Sequence, residues 1–162
     1  QVDLAAGAKA RGFSQYEILI IASLIEREAK VAGDRSKIAQ VIYNRLAKKM
    51  KLEIDASVKY GQDPAMTWTE MKATDTPYNT YINSGLPPTP IANPGKASIQ
   101  AALAPFGTPP ASDAACVGLP AGVKCEYLYY VLADEAGGHV FATTYDQHLA
   151  NVEKSKTVGL LP

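Results

Sequence analysis

From Ile18 to Ile25 every position but Ser23 is apolar. A run that covers all sides of a helix, rather than one stripe, predicts a helix buried at the centre of its domain. Its start is marked as well: Ser14 followed three residues later by Glu17 fits a capping box, with Phe13 and Ile18 placed for a hydrophobic staple. Gly33 and Asp34 mark a turn and a new N-cap. Ile38, Val41, Ile42 and Leu46 then recur at helical spacing and predict a second helix reaching about Met50. Its other face carries Arg35, Lys37, Arg45, Lys48 and Lys49 and reads by default as solvated.

The remaining pattern is shorter-ranged. Residues 1–12 read as a helical lead-in. In the stretch from Met50 to Tyr60, Glu53, Asp55 and Ser57 are polar groups that either face a cleft or form a short strand edge with local backbone hydrogen bonds. Trp68 to Lys72 predicts one helical turn capped at Thr67 or Thr69. A long loop from Asp75 to Gly95 follows, punctuated by Pro and Gly, and its prolines, Tyr78, Tyr81 and Leu86 argue for order. Asn93 as cap and Pro94 at the first position predict a helix ended by Pro105. Glu126 to Ala133 predicts a buried strand, Asp134 to Gly138 a turn, and His139-Val140-Phe141 its hairpin partner. Thr144 with Gln147 opens a last helix through about Lys154. The expectation is one α+β domain: several helices packed with a small antiparallel sheet.

Composition narrows the chemistry. The 162 residues include 16 basic and 16 acidic side chains, so no global charge draws the chain to nucleic acid or an anionic membrane. No apolar run is long enough to span a bilayer. Walker loop, dinucleotide fingerprint, serine-hydrolase elbow and zinc-protease motif are all missing from the sequence. Neither histidine sits in a metal-ligand cluster, and neither cofactor nor metal is expected. Cys116 and Cys125, nine positions apart in a loop rich in Ala, Gly and Pro, are expected to form a local disulfide rather than stay free thiols. An oxidising compartment would follow.

Glu26 is the candidate acid. It closes the apolar run and shares a helix face with Leu19, Ala22, Ser23, Ala29 and Lys30, mostly small side chains that leave room for a ligand. The plainer possibility is that it only begins the polar end of the helix. The stretch Ala22-Ser23-Leu24-Ile25-Glu26-Arg27-Glu28 resembles the signature of the endolytic murein transglycosylase family (MltG, YceG-like). Tyr43-Asn44-Arg45-Leu46, Tyr78-Asn79-Thr80-Tyr81, Gly85-Leu86-Pro87-Pro88 and Gly137-Gly138-His139-Val140-Phe141 match the same family in the same order. The similarity runs from about Phe13 to Val152. Glu53 stands where the family usually has Gln.

The resemblance implies a lytic transglycosylase that cuts peptidoglycan glycan strands internally and leaves 1,6-anhydro-N-acetylmuramyl ends, with no cofactor. One carboxylate, Glu26, would protonate the leaving oxygen and then take the proton of the C6 hydroxyl. For that its pKa must rise, and the apolar run before it is expected to supply the desolvation. Ser23, Asn44, Arg45, Glu53, Asp55, Ser57, Tyr78, Asn79, Tyr81, Asn93 and His139 are the expected glycan-binding or bracing residues, while His148 reads as structural. The resemblance also implies that residues 108–124 are an insertion and that this is the catalytic part of a longer chain. That longer chain would be anchored by one membrane span at the extracytoplasmic face, beside membrane-bound glycan polymerases or penicillin-binding proteins. Two other readings stay open: a hydrolytic muramidase using Asp55 or Glu53 as second carboxylate, and a non-catalytic glycan-binding scaffold.

Overall fold

The capping box at Ser14 forms as its spacing predicts: Ser14 Oγ accepts from the Glu17 amide, and the Glu17 carboxylate accepts from the Ser14 amide. It opens α2 (Gln15–Glu28) in the computed structural model, which describes residues 3–161. Ile18, Ile21, Leu24 and Ile25 on this helix are fully buried. Helix α2 packs against α1 (Leu4–Arg11), α3 (Arg35–Ala47), α4 (Asp55–Lys59) and α6 (Lys96–Leu103), and so runs through the centre of one continuous apolar core. Residues 1–2 of the expected lead-in lie outside the described residues; the rest of it is α1, with Asp3 as N-cap and Gly12 as left-handed C-cap.

Around this core the remaining elements are α5 (Trp68–Ala73), the antiparallel pair β1 (Tyr129–Leu132) and β2 (His139–Ala142), and α7 (Tyr145–Thr157). The fold is α+β, with seven α-helices and one two-stranded sheet among the described residues. Helix α7 packs on both strands and is opened by the Thr144–Gln147 capping box. In the hairpin turn Gly137 holds φ +89, and a Cβ there would sit 2.6 Å from Lys30 Cδ, so the turn seats against the end of α2 only with glycine.

Four local expectations are corrected. Helix α3 stops at Ala47, because Lys49 turns left-handed at φ 57 and the Met50 amide bonds back to the Arg45 carbonyl. Asp34 caps nothing with its side chain, which is engaged by the hairpin instead. The stretch expected as a possible strand edge holds helix α4, and Thr80 pins it by bonding the Ile54 amide and the Ser57 hydroxyl. Helix α6 begins at Lys96 with Gly95 as N-cap, leaving Asn93 exposed and without a capping role.

The expected strand from Glu126 is shorter and only half-buried along β1, since a two-stranded sheet covers one edge of each strand; full burial falls on Tyr127 just before it. The loop 75–95 is ordered as expected. Asn79 and Thr80 are buried within it, and the Asn79 amide nitrogen donates to the carbonyls of Lys72 and Thr74. Cys116 and Cys125 are joined in a disulfide. Within residues 108–124, Asp113 accepts from the Tyr127 hydroxyl and Ala115 is buried in the core.

Candidate active site

At the last turn of α2 two carboxylates diverge. Positions 26 and 28 are about 200° apart around a helix, so they face opposite ways. Glu26 faces the start of α6. Its Oε2 accepts from the Gly95 amide at 3.1 Å and from Ser98 Oγ at 2.6 Å. Gly95 is the N-cap of α6 and Ser98 lies in its first turn, so Glu26 fastens from α2 a helix start that has no side-chain cap of its own, and the helix dipole favours its charge. The two hydrogen bonds, Ser98 first, hold its pKa below the ordinary carboxylate value. The expected rise at Glu26 is therefore overturned: donors rather than apolar atoms meet its carboxylate.

Glu28 faces a cleft of about 630 Å³. The cleft is lined by Arg45, Glu53, Asp55, Lys72, Tyr81, Tyr130, His139, Tyr145 and His148, with Leu52, Val131, Leu132, Val152 and Leu161 as its apolar patches. Glu28 sits one turn beyond Leu24 and Ile25, both fully buried, and is itself partly buried. Desolvation is the largest influence and pushes its pKa up, with the nearby Asp55 charge acting in the same direction. The Tyr130 hydroxyl, donating to Oε2 at 3.0 Å, the Ala56 backbone and the charge of His139 oppose this without cancelling it. Burial and the neighbouring Glu28 in turn raise the Tyr130 pKa, so its hydroxyl stays a donor.

The other cleft residues are set by separate devices. Arg45, 6% exposed, donates from Nε to the Leu128 carbonyl and from one terminal nitrogen to the carbonyls of Lys51 and Leu52 and to Glu53 Oε2 at 2.9 Å. It thus ties α3 to the start of β1 and to the segment before α4, where Glu53, at φ 53, donates its amide to the Thr80 carbonyl. Asp55 accepts from the Tyr81 hydroxyl at 2.7 Å. His139 is fixed by Asp34, whose Oδ2 takes both its backbone amide at 2.8 Å and Nδ1 at 3.1 Å. Opposite them, Tyr129 stacks on His148 at 5.2 Å, and burial followed by the Arg45 charge lowers the His148 pKa, favouring the neutral ring.

Of the residues expected at a glycan site, the structure gathers Arg45, Glu53, Asp55, Tyr81 and His139 around Glu28. The rest of the set lies elsewhere. Ser23 is buried and receives the Ile91 amide. Asn44 braces the Tyr127 carbonyl, and Ser57 is locked to Ile54 and Thr80. Tyr78 bonds Thr89, Asn79 latches the end of α5, and Asn93 sits on the exposed approach to α6. Missed were Glu28, Tyr130, Lys72 and Tyr145, and His148 reaches the cleft where a structural role was expected.

Known proteins match most of the chain. The model of the YceG-like family matches residues 1–154. The chain belongs to the YceG-like family. A Bacillus subtilis (strain 168) relative named endolytic murein transglycosylase is 42% identical over 143 residues, which is 87% of this chain and 35% of that protein. A Streptococcus pneumoniae (serotype 2, strain D39) relative of the same name is 30% identical over 151 residues, 89% of this chain and 24% of its own length. The crystal structure of a yceG-like protein from Listeria monocytogenes superposes with a TM-score of 0.68 at 36% identity, over 90% of this chain and 41% of that one. The chain thus spans about a third of the Bacillus relative and a quarter of the pneumococcal one. No helix among the described residues is long and apolar enough to cross a membrane.

Proposed function

We propose that this chain carries the catalytic site of an endolytic murein transglycosylase, with Glu28 and not Glu26 as its acid. The observation that carries this reading is a carboxyl group at the floor of an open cleft whose surroundings favour its protonated form. Protonated Glu28 gives its proton to the glycosidic oxygen as the bond from the muramyl C1 breaks. The carboxylate it leaves behind is held by the Tyr130 hydroxyl, so the charge that burial disfavours has a donor waiting for it. That carboxylate then takes the proton of the C6 hydroxyl while O6 closes on C1, giving a 1,6-anhydro end and restoring the neutral acid. No water is consumed, and no second carboxylate is needed as nucleophile.

The substrate class rests on the relatives' shared name and on the cleft, whose tyrosines offer flat apolar faces to pyranose rings while Arg45, Asp55 and His139 offer polar edges. An enzyme of this kind works on wall glycan at the extracytoplasmic face of the cell membrane, next to membrane-bound glycan polymerases or penicillin-binding proteins. The Cys116–Cys125 disulfide suits that oxidising side. Mass spectrometry of muropeptides after digestion tests the chemistry. Anhydro-muramyl ends are expected. Reducing muramic ends would instead assign Asp55 to a hydrolytic role, and intact glycan would leave only a binding domain.

A further inference from the structure

Lys59 and Lys72 stand outside the proton transfers assigned to Glu28. Lys59 Nζ lies 5.4 Å and Lys72 Nζ 5.7 Å from the centroid of the Trp68 ring, and Lys72 Nζ is also 4.4 Å from the centroid of Tyr81. Trp68 meets Tyr81 edge-on at 6.1 Å and keeps 36% of its surface exposed. Neither ammonium forms an ion pair among the described residues. Asp55 lies one helical turn before Lys59 on α4, yet its Oδ1 is engaged by the Tyr81 hydroxyl.

The cluster is also held in place. Helix α5, which carries Trp68 and Lys72, is fixed at its start by the Thr67–Glu70 capping box and at its end by the Asn79 amide on the Lys72 and Thr74 carbonyls. Lys72 and Tyr81 line the cleft on this side, while α7 lines the other with Tyr145, His148 and Val152 and no lysine. One wall therefore carries Lys72 and Tyr81 with Asp55 bonded to the tyrosine, and the other is aromatic and aliphatic. A neutral sugar ring gains little from an ammonium. Two ammoniums held against aromatic faces, neither within ion-pair distance of a carboxylate among the described residues, complement an anion arriving with the substrate.

We infer that Lys59, Lys72 and Trp68 form a subsite for the free carboxylates of the peptide stem carried by a muramyl residue, so that the cleft favours stem-bearing over bare glycan. This rests on the reading of the cleft as a glycan site. Lysine suits the task because its point charge on a flexible stem follows a mobile carboxylate.

The test is calorimetric binding to the 162-residue chain, carrying Glu28→Gln so that ligand is not consumed. Its ligands are a soluble muropeptide tetrasaccharide and, as the bare glycan, the neutral N-acetylglucosamine tetramer, because amidase removal of the stem would leave a lactyl carboxylate in its place. Stem-bearing glycan is expected to bind about fivefold tighter at low salt, the size two exposed ion pairs give, with the advantage shrinking as salt rises. Lys59→Ala with Lys72→Ala is expected to bring the stem-bearing ligand down to the level of the bare one, and Lys72→Arg to keep most of the preference. Equal affinity for the two ligands, or a preference surviving the double substitution, would overturn the inference. If neither ligand binds, the reading of the cleft as a glycan site falls first and the subsite with it.

Discussion

Glu26 and Glu28 leave α2 within one turn of each other and end in opposite surroundings. On the α6 side a carboxylate meets two donors and the positive end of a helix, is kept charged, and fastens two helices together. On the cleft side a carboxylate meets apolar packing, a tyrosine hydroxyl and a second acid, and is pushed toward its neutral form. The difference teaches that a residue's distance from an apolar run says little about its pKa. What decides is which atoms face the carboxylate, and a helix turns that face by about 100° with each residue.

Substitutions on the two sides should therefore separate activity from stability. The largest effect belongs to Glu28→Gln, which removes the proton donor. The rate of anhydro-muramyl release, measured by muropeptide mass spectrometry, is expected to fall about a thousandfold. Stability moves the other way. The folded-state pKa of Glu28 is raised, so its stabilising contribution is fully present below the unfolded pKa and is lost as pH rises through the folded pKa. Urea unfolding of Glu28→Gln against the wild type should accordingly show the variant gaining relative stability from acid to alkaline pH.

Arg45→Ala comes next, because it strands the Glu53 charge and frees three carbonyls at the junction of α3, β1 and the segment before α4. A loss of about 3 kcal/mol in urea unfolding is expected, together with loss of activity as the cleft wall shifts. On the α6 side, Glu26→Ala is expected to cost about 1 kcal/mol, the size of a lost helix cap, while anhydro-muramyl release stays within about threefold of wild type, a change worth well under 1 kcal/mol. Its pH signature is the reverse of that at Glu28. The folded-state pKa of Glu26 is depressed, so its contribution is present above the unfolded pKa and is lost as pH falls through the folded pKa.

The smallest change is Tyr130→Phe. The Tyr130 hydroxyl pulls the Glu28 pKa down, so removing it should raise that pKa and move the alkaline limb of the pH–rate profile to higher pH, with little change in Tm. A profile that keeps its alkaline limb in place would mean that Tyr130 only fills space.

Much of the fold was legible because its signals are local. The capping boxes at Ser14, Thr67 and Thr144, the all-round apolar face of α2 and the hairpin before α7 each need only a few neighbouring residues to specify them. The start of α6 was not, because the side chain that fastens it is Glu26, about seventy residues earlier in the chain and beyond the reach of any local pattern. The site was legible in part for the same reason. The motif containing both glutamates stood out, and so did Arg45, Asp55, Tyr81 and His139. The choice between the two acids depended on what packs over each. One sequence signal separates the two: Glu28 lies above Leu24 and Ile25, whereas Glu26 lies above Ala22 and Ser23. The small neighbours leave room above Glu26, and α6 fills it.

The most direct measurement is an NMR titration of the carboxyl carbons of both glutamates in the folded chain. Glu28 should titrate above the ordinary glutamate range and Glu26 below it. The opposite order, with Glu26 the high one, would return the acid to the α6 side and contradict the assignment of Glu28.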